Sequence, residues 1–172
     1  MNNSFDIVKK QLGKKTISPC EIVSSCPFGF PDVIKSLPSS NNLSIKTIFW
    51  LTCPYLRKKL AYLEEKGFIR EFSAFLKENK QELKKYSNKY RKIRNKILKD
   101  NNLIDNIPKN IVEAGIAGVS EDIYAKCLHA HIAYYLLDKD YFPGKFIEKK
   151  VGDLFCNGNP PVCSKFVGVK NA

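Results

Sequence analysis

Lys46-Thr47-Ile48-Phe49-Trp50-Leu51-Thr52-Cys53-Pro54 divides this chain into two kinds of structure. Its first seven residues, rich in β-branched and aromatic side chains, read as the strongest strand of the sequence. Pro54 then suits the first position of a helix, which sets Cys53 at the N-cap. Before this junction the pattern is strand and turn; after it, helix. The expected class is α+β, with a small N-terminal antiparallel sheet packed on a mainly helical body.

Upstream, Ser4 caps a short helix, Phe5 to Leu12, which Gly13 closes. Thr16 to Ser25 and Asp32 to Leu37 read as extended. Between them, Cys26-Pro27-Phe28-Gly29-Phe30-Pro31 must turn, because its prolines and glycine exclude helix and central strand. Pro38 to Asn42 is a polar connection. Downstream, Leu56, Leu60 and Leu63 form the apolar stripe of a helix that Gly67 ends, and a second helix runs from Phe68 to about Glu78. In a third, about Gln81 to Lys99, the residues Leu83, Tyr86, Tyr90, Ile93 and Ile97 fall at coiled-coil-like spacing. That seam is short, which predicts a helical hairpin within the chain. Ser120, with Glu121 and Asp122 in the first turn, starts a helix that carries Cys127, His129 and His131 to about Leu137. A last helix spans about Lys145 to Phe155. With 172 residues the chain is expected to be a single domain over 1–172: a strand-rich, cysteine-bearing part over about 14–53, a helical part over about 54–155 and a turn-rich tail over 156–172.

The formal net charge is +12, from 29 basic and 17 acidic residues. Ten basic residues stand against two acidic ones between Lys77 and Lys99, so one long basic helix carries +8 of that excess. Only four of the cations are arginines; lysine is a hydrated point charge rather than a bidentate reader of phosphates or bases. A solvated helix face explains this charge. The sharper reading is a nucleic-acid or other polyanion partner, held through Lys84, Lys85, Arg91 and Lys92. The N-terminus lacks the basic and apolar regions of a secretory signal. No apolar run approaches the ~20 residues of a membrane helix. The expected location is cytoplasmic.

In such a compartment thiols are kept for metals or chemistry rather than for disulfides. Cys26 and Cys53 each precede a proline, which holds them extended, and Cys53 at a helix N-terminus lies where thiolate is favoured. No Cys-x-x-Cys pair is present, so a metal would draw ligands from distant segments. Buried apolar cysteine is the competing reading. On a regular helix Cys127 and His131 share a face, whereas His129 points away from Cys127. Gly115 and Gly118 before a helix are a weak anion-nest signal, with loop glycines the favoured alternative.

Taken together, Gln11-Leu12-Gly13, Cys26-Pro27-Phe28-Gly29-Phe30-Pro31, Phe49-Trp50-Leu51-Thr52-Cys53-Pro54 running into a helix with Leu63-Glu64, Gly115-Ile116-Ala117-Gly118 and Lys126-Cys127-Leu128-His129-Ala130 resemble the bacterial domain of unknown function 501 family. That resemblance implies no activity, but it sorts the cysteines. Cys26, Cys53 and Cys127 fall in its motifs, Cys163 looks like its late cysteine, and Cys20 and Cys156 have no counterpart. The leading expectation is that Cys26, Cys53, Cys127 and Cys163 converge on a metal centre, either a [4Fe-4S] cluster or structural zinc. The alternatives are a basic polyanion-binding module with structural cysteines, and a thiol enzyme with Cys53 as nucleophile and His129 as base.

Overall fold

In the computed structural model, which describes residues 3–38, 46–103 and 107–167, the division at Cys53-Pro54 holds. Helix α1 (Asn3–Leu12) precedes strands β1 (Cys20–Ser25), β2 (Pro31–Ser36) and β3 (Phe49–Leu51), which form an antiparallel sheet in the order β1-β2-β3. Ile22 pairs with Ile34, and Ile34 with Trp50. Central β2 is the most buried strand. Edge strand β3 alternates as its sequence demands, with Phe49 and Leu51 inward and Trp50 half-exposed. Of the connection at 38–42, residues 39–42 lie outside the described residues.

The strand-to-helix junction is pinned through the backbone. Thr52 N–H donates to Asp32 O at 2.8 Å, and Thr52 Oγ1 donates to Pro31 O at 3.0 Å. Helix α2 (Pro54–Glu65) then starts on its proline, with Cys53 in the flanking position. Helices α3 (Phe68–Glu78) and α4 (Lys80–Asp100) follow. The buried face of α4 holds Leu83, Tyr86 and Tyr90 as expected, then passes to Arg94 and Leu98, leaving Ile93 and Ile97 half-buried. A straight helix drifts by ~20° per heptad, so an unsupercoiled α4 cannot keep one seam over its length. Its tyrosines dock on the rest of the molecule. Tyr90 Oη accepts from Ile48 N–H at 2.9 Å, just before β3. Tyr86 Oη donates to Asp140 O at 2.8 Å.

After the short α5 (Lys109–Val112) and a 3-10 turn (Ile116–Gly118), α6 (Leu128–Leu137) runs through the centre of the core. It is apolar nearly all round, as a helix enclosed on every side should be. The expected helix from Ser120 is not formed: residues 119–127 are irregular and α6 begins at Leu128. The charges read as a favourable first turn serve elsewhere. Asp122 is held by Arg91, whose Nη2 donates to both carboxylate oxygens at 2.7 and 2.8 Å, and a side chain at Gly115 would strike it. Ala125 N–H donates to Ser73 Oγ at 3.2 Å. Helix α7 (Phe142–Val151) starts three residues before the expected Lys145. The tail then folds back onto α1 through a second 3-10 turn (Val162–Phe166), with Lys10 Nζ on Phe166 O at 2.9 Å.

Candidate metal centre

The start of α6 builds the tightest polar constellation. Cys127, the residue before the helix, is extended (φ −160°, ψ 123°). It is therefore not one helical turn from His131, and the expected Cys127–His131 face does not exist. Extended backbone turns the Cys127 sulfur toward His129 instead, with Sγ and Nδ1 3.5 Å apart. His131 is enclosed in the core, where its Nδ1 meets Tyr141 Oη at 2.6 Å and its ring stands edge-on to Phe72. Burial lowers its pKa to about 3, so it is a neutral core histidine.

Glu64, near the end of α2, completes the group. Its Oε1 accepts from Leu128 N–H at 2.6 Å, so a carboxylate from another helix satisfies the positive N-terminus of α6. The same oxygen lies 3.1 Å from His129 Nδ1, and His129 Nε2 lies 3.1 Å from Arg57 O. A carbonyl can only accept, so Nε2 carries a proton and Nδ1 faces the sulfur and the carboxylate. Burial would lower the His129 pKa, but hydrogen bonds to Cys127 and Glu64 outweigh it and raise it to about 10. Burial likewise opposes ionisation of Glu64, yet its bonds from His129 and Leu128 hold the carboxyl below the usual carboxylate range. Among the described residues, Glu64, Cys127 and His129 are the one group of three potential metal ligands whose donor atoms all lie within 4.8 Å of one another.

Cys127 and His129 line a cavity of about 730 Å³, within the span of small-molecule sites. Lys14 and Arg57 bring positive charge to its wall, and Phe49 and Trp50 bring aromatic surface. Cys20 also lines it. Cys26, Cys53 and Cys163 line a second, much smaller cavity, together with Cys156. The four expected ligands are thus divided, three at one cavity and Cys127 at the other. The proposed pair of Cys53 and His129 is divided in the same way. Cys53 does sit at the start of α2, where the Leu56 and Tyr55 amides favour the thiolate, although its side chain makes no capping hydrogen bond. Burial is stronger and, with Cys163 and Cys26 nearby, takes the thiol to about 11.

Glu64 falls in a family motif, Leu63-Glu64, but the sequence assigns it no chemistry, because nothing in the spacing of two helices shows that one will cap the other. The basic helix is also altered. Lys84, Lys85 and Lys92 are exposed on α4, but Arg91 is engaged with Asp122 and Glu113 O. Arg94 is wholly buried. Gly115 and Gly118 N–H groups donate within their own loop, to Val119 O and Gly115 O, rather than forming an anion nest. A family model described as "Protein of unknown function (DUF501)" matches residues 22–149. No curated protein and no solved structure matches the chain. No helix among the described residues is long and apolar enough to cross a membrane.

Proposed function

The chain belongs to the DUF501 family, and from that premise we propose that Glu64, Cys127 and His129 bind one transition-metal ion, zinc, for metal-assisted chemistry in the adjoining cavity. The observation that carries this reading is the convergence of sulfur, nitrogen and carboxylate donors within 4.8 Å. Such mixed donors suit zinc. Three protein ligands leave a coordination position for water or substrate, the pattern of catalytic rather than structural zinc. The bond from His129 Nε2 to Arg57 O is the support that fixes the tautomer and orientation of a ligating histidine. The cavity supplies Lys14 and Arg57 for an anionic group and Phe49 and Trp50 for an apolar or planar one. A small anionic substrate attacked by metal-activated water fits that wall.

The same three residues invite comparison with a Cys-His-acid nucleophile. In that arrangement the acid orients the imidazole from the nitrogen opposite the thiol. Here Cys127 and Glu64 approach the same Nδ1, and the opposite nitrogen is held by a carbonyl. The geometry therefore favours ligation over base catalysis. The test is metal analysis of the purified full chain, of Cys127→Ser and of His129→Ala, with folding followed by circular dichroism. Each folded variant is expected to hold one metal equivalent fewer than the wild type. Variants that keep the full metal content would overturn the assignment.

A further inference from the structure

Four of the six cysteines meet at a second place, independent of the centre proposed above. Cys26 comes from the turn after β1, Cys53 from the start of α2, Cys156 from the segment after α7, and Cys163 from the 3-10 turn of the tail. All four are free thiols lining one small cavity. The rest of its wall is aromatic and aliphatic, with no charged or hydroxyl side chain. One buried cysteine is ordinarily a small apolar residue. Apolar filling alone does not account for four of them, brought from four separate segments to the wall of one cavity.

The surroundings also present a donor to one of these sulfurs. Gln11, 4% exposed, reaches in from α1, and its Nε2 lies 3.3 Å from Cys163 Sγ and 2.8 Å from Pro31 O. Cys53 stands at the N-terminus of α2, at the positive end of the helix dipole. Hydrogen bonds to sulfur such as that from Gln11 orient and support thiolates that ligate metals.

We infer that Cys26, Cys53, Cys156 and Cys163 form a closed, all-thiolate site for a thiophilic metal, which ties the tail to the sheet and to the start of α2. Two occupants share that chemistry, a zinc ion and a [4Fe-4S] cluster. Zn–S bonds of ~2.3 Å place tetrahedral sulfurs ~3.8 Å apart. Among the described residues no three of these sulfurs lie mutually within 4.8 Å. That is wider than a zinc tetrahedron, so a zinc ion would require the sulfurs to draw together on binding, whereas in a cluster each thiolate holds its own iron. Cys156 is integral to the site, although no sequence motif marks it.

The test uses the full chain purified without oxygen, with zinc, iron and acid-labile sulfide measured beside the visible absorption spectrum. Four irons and four sulfides per chain, with broad visible absorption, identify the cluster; one additional zinc in a colourless protein identifies the ion. In either case Cys53→Ser, Cys156→Ser and Cys163→Ser lose this metal, while Cys20→Ser retains it. The centre at Glu64, Cys127 and His129 is unaffected by these changes, so the two assignments stand or fall separately. Should the serine variants not fold, alkylation of the native wild type replaces them. Cys26, Cys53, Cys156 and Cys163 are expected to be protected together and released together by a chelator. Metal content unchanged in a folded Cys156→Ser variant, or four thiols that alkylate independently and without regard to chelator, would overturn the inference.

Discussion

Among the described residues, Arg94 is the largest fully buried side chain and forms no ion pair with a carboxylate. Its Nη1 donates to Lys46 O at 3.0 Å, and its Nη2 donates to Val112 O at 3.3 Å and to Ala114 O. The guanidinium also lies over the Tyr90 ring, 5.7 Å from its centre. These carbonyls belong to the segment before β3, to the last residue of α5 and to the loop after it, so one planar fork ties α4 to these parts of the chain. Arg94→Met is expected to cost about 3 kcal/mol or more, because it leaves buried carbonyls unpaired. Arg94→Lys is expected to recover only part of that, since an ammonium on a flexible stem cannot reproduce the fork. Denaturant unfolding of the two variants checks both, and a lysine variant as stable as the wild type would contradict the argument. Sequence alone could not distinguish Arg94 from its cationic neighbours. Counting charge treats every cation as solvated, and what withdraws Arg94 is a set of carbonyls on segments remote in the chain. The same holds for Glu64, whose partners, Leu128 and His129, are 64 and 65 residues away.

Elements whose signals are local were legible, and those closed by remote partners were not. The stripes of α2 and α3 repeat at helical spacing, and Pro54 and Gly67 mark ends that the backbone obeys. The start of α6 lies beyond the expected Ser120 because Glu64, rather than a residue of its own segment, satisfies its first amide, that of Leu128. Helix α7 was misplaced too, since Pro143-Gly144 reads as a break. In the structure Pro143 occupies the first turn, where its missing N–H is no loss, and Gly144 lets α7 approach α6. A side chain on Gly144 would collide with Cβ and the ring of Tyr135 on α6. Helix propensity alone favours alanine over glycine there by ~1 kcal/mol. Overpacking of a tight contact costs ~1–3 kcal/mol, so the collision dominates. Gly144→Ala is therefore expected to lower stability, by up to about 2 kcal/mol. Gly152→Ala serves as a contrast: it tests a positive φ of 72° with open space around it. A Gly144→Ala variant more stable than the wild type in thermal unfolding would show that α6 and α7 separate more readily than their packing implies.

At the scale of the whole molecule, an excess of twelve positive charges is set against six pairs between lysine or arginine and carboxylates among the described residues. Added salt screens both the repulsion and the pairs, so the sign of its effect depends on which is larger. Most of these pairs are surface-exposed, where each contributes ~0–1 kcal/mol. The Arg91–Asp122 pair is part-buried, with Nη2 between both carboxylate oxygens, and screening reaches it least. The repulsion, in contrast, is shared among a surplus of cations concentrated on α4, where Lys84, Lys85 and Lys92 are all exposed. Repulsion is expected to prevail. Raising the ionic strength from about 10 mM to about 150 mM shortens the screening length from ~30 Å to ~8 Å. The thermal midpoint is then expected to rise, by about 2–4 °C for each kcal/mol of repulsion removed in a chain of this size. Lys84→Glu, Lys85→Glu and Lys92→Glu together change the charge by six, from +12 to +6, and should flatten that rise while leaving the metal content unchanged. A midpoint that falls with salt would show that the ion pairs outweigh the surplus. A polyanion reading of the same lysines makes an opposite demand on a different measurement, since affinity for heparin would fall steeply over this salt range. Measuring stability and heparin binding on the same wild-type and triple-variant proteins therefore separates a merely solvated α4 from one with a partner.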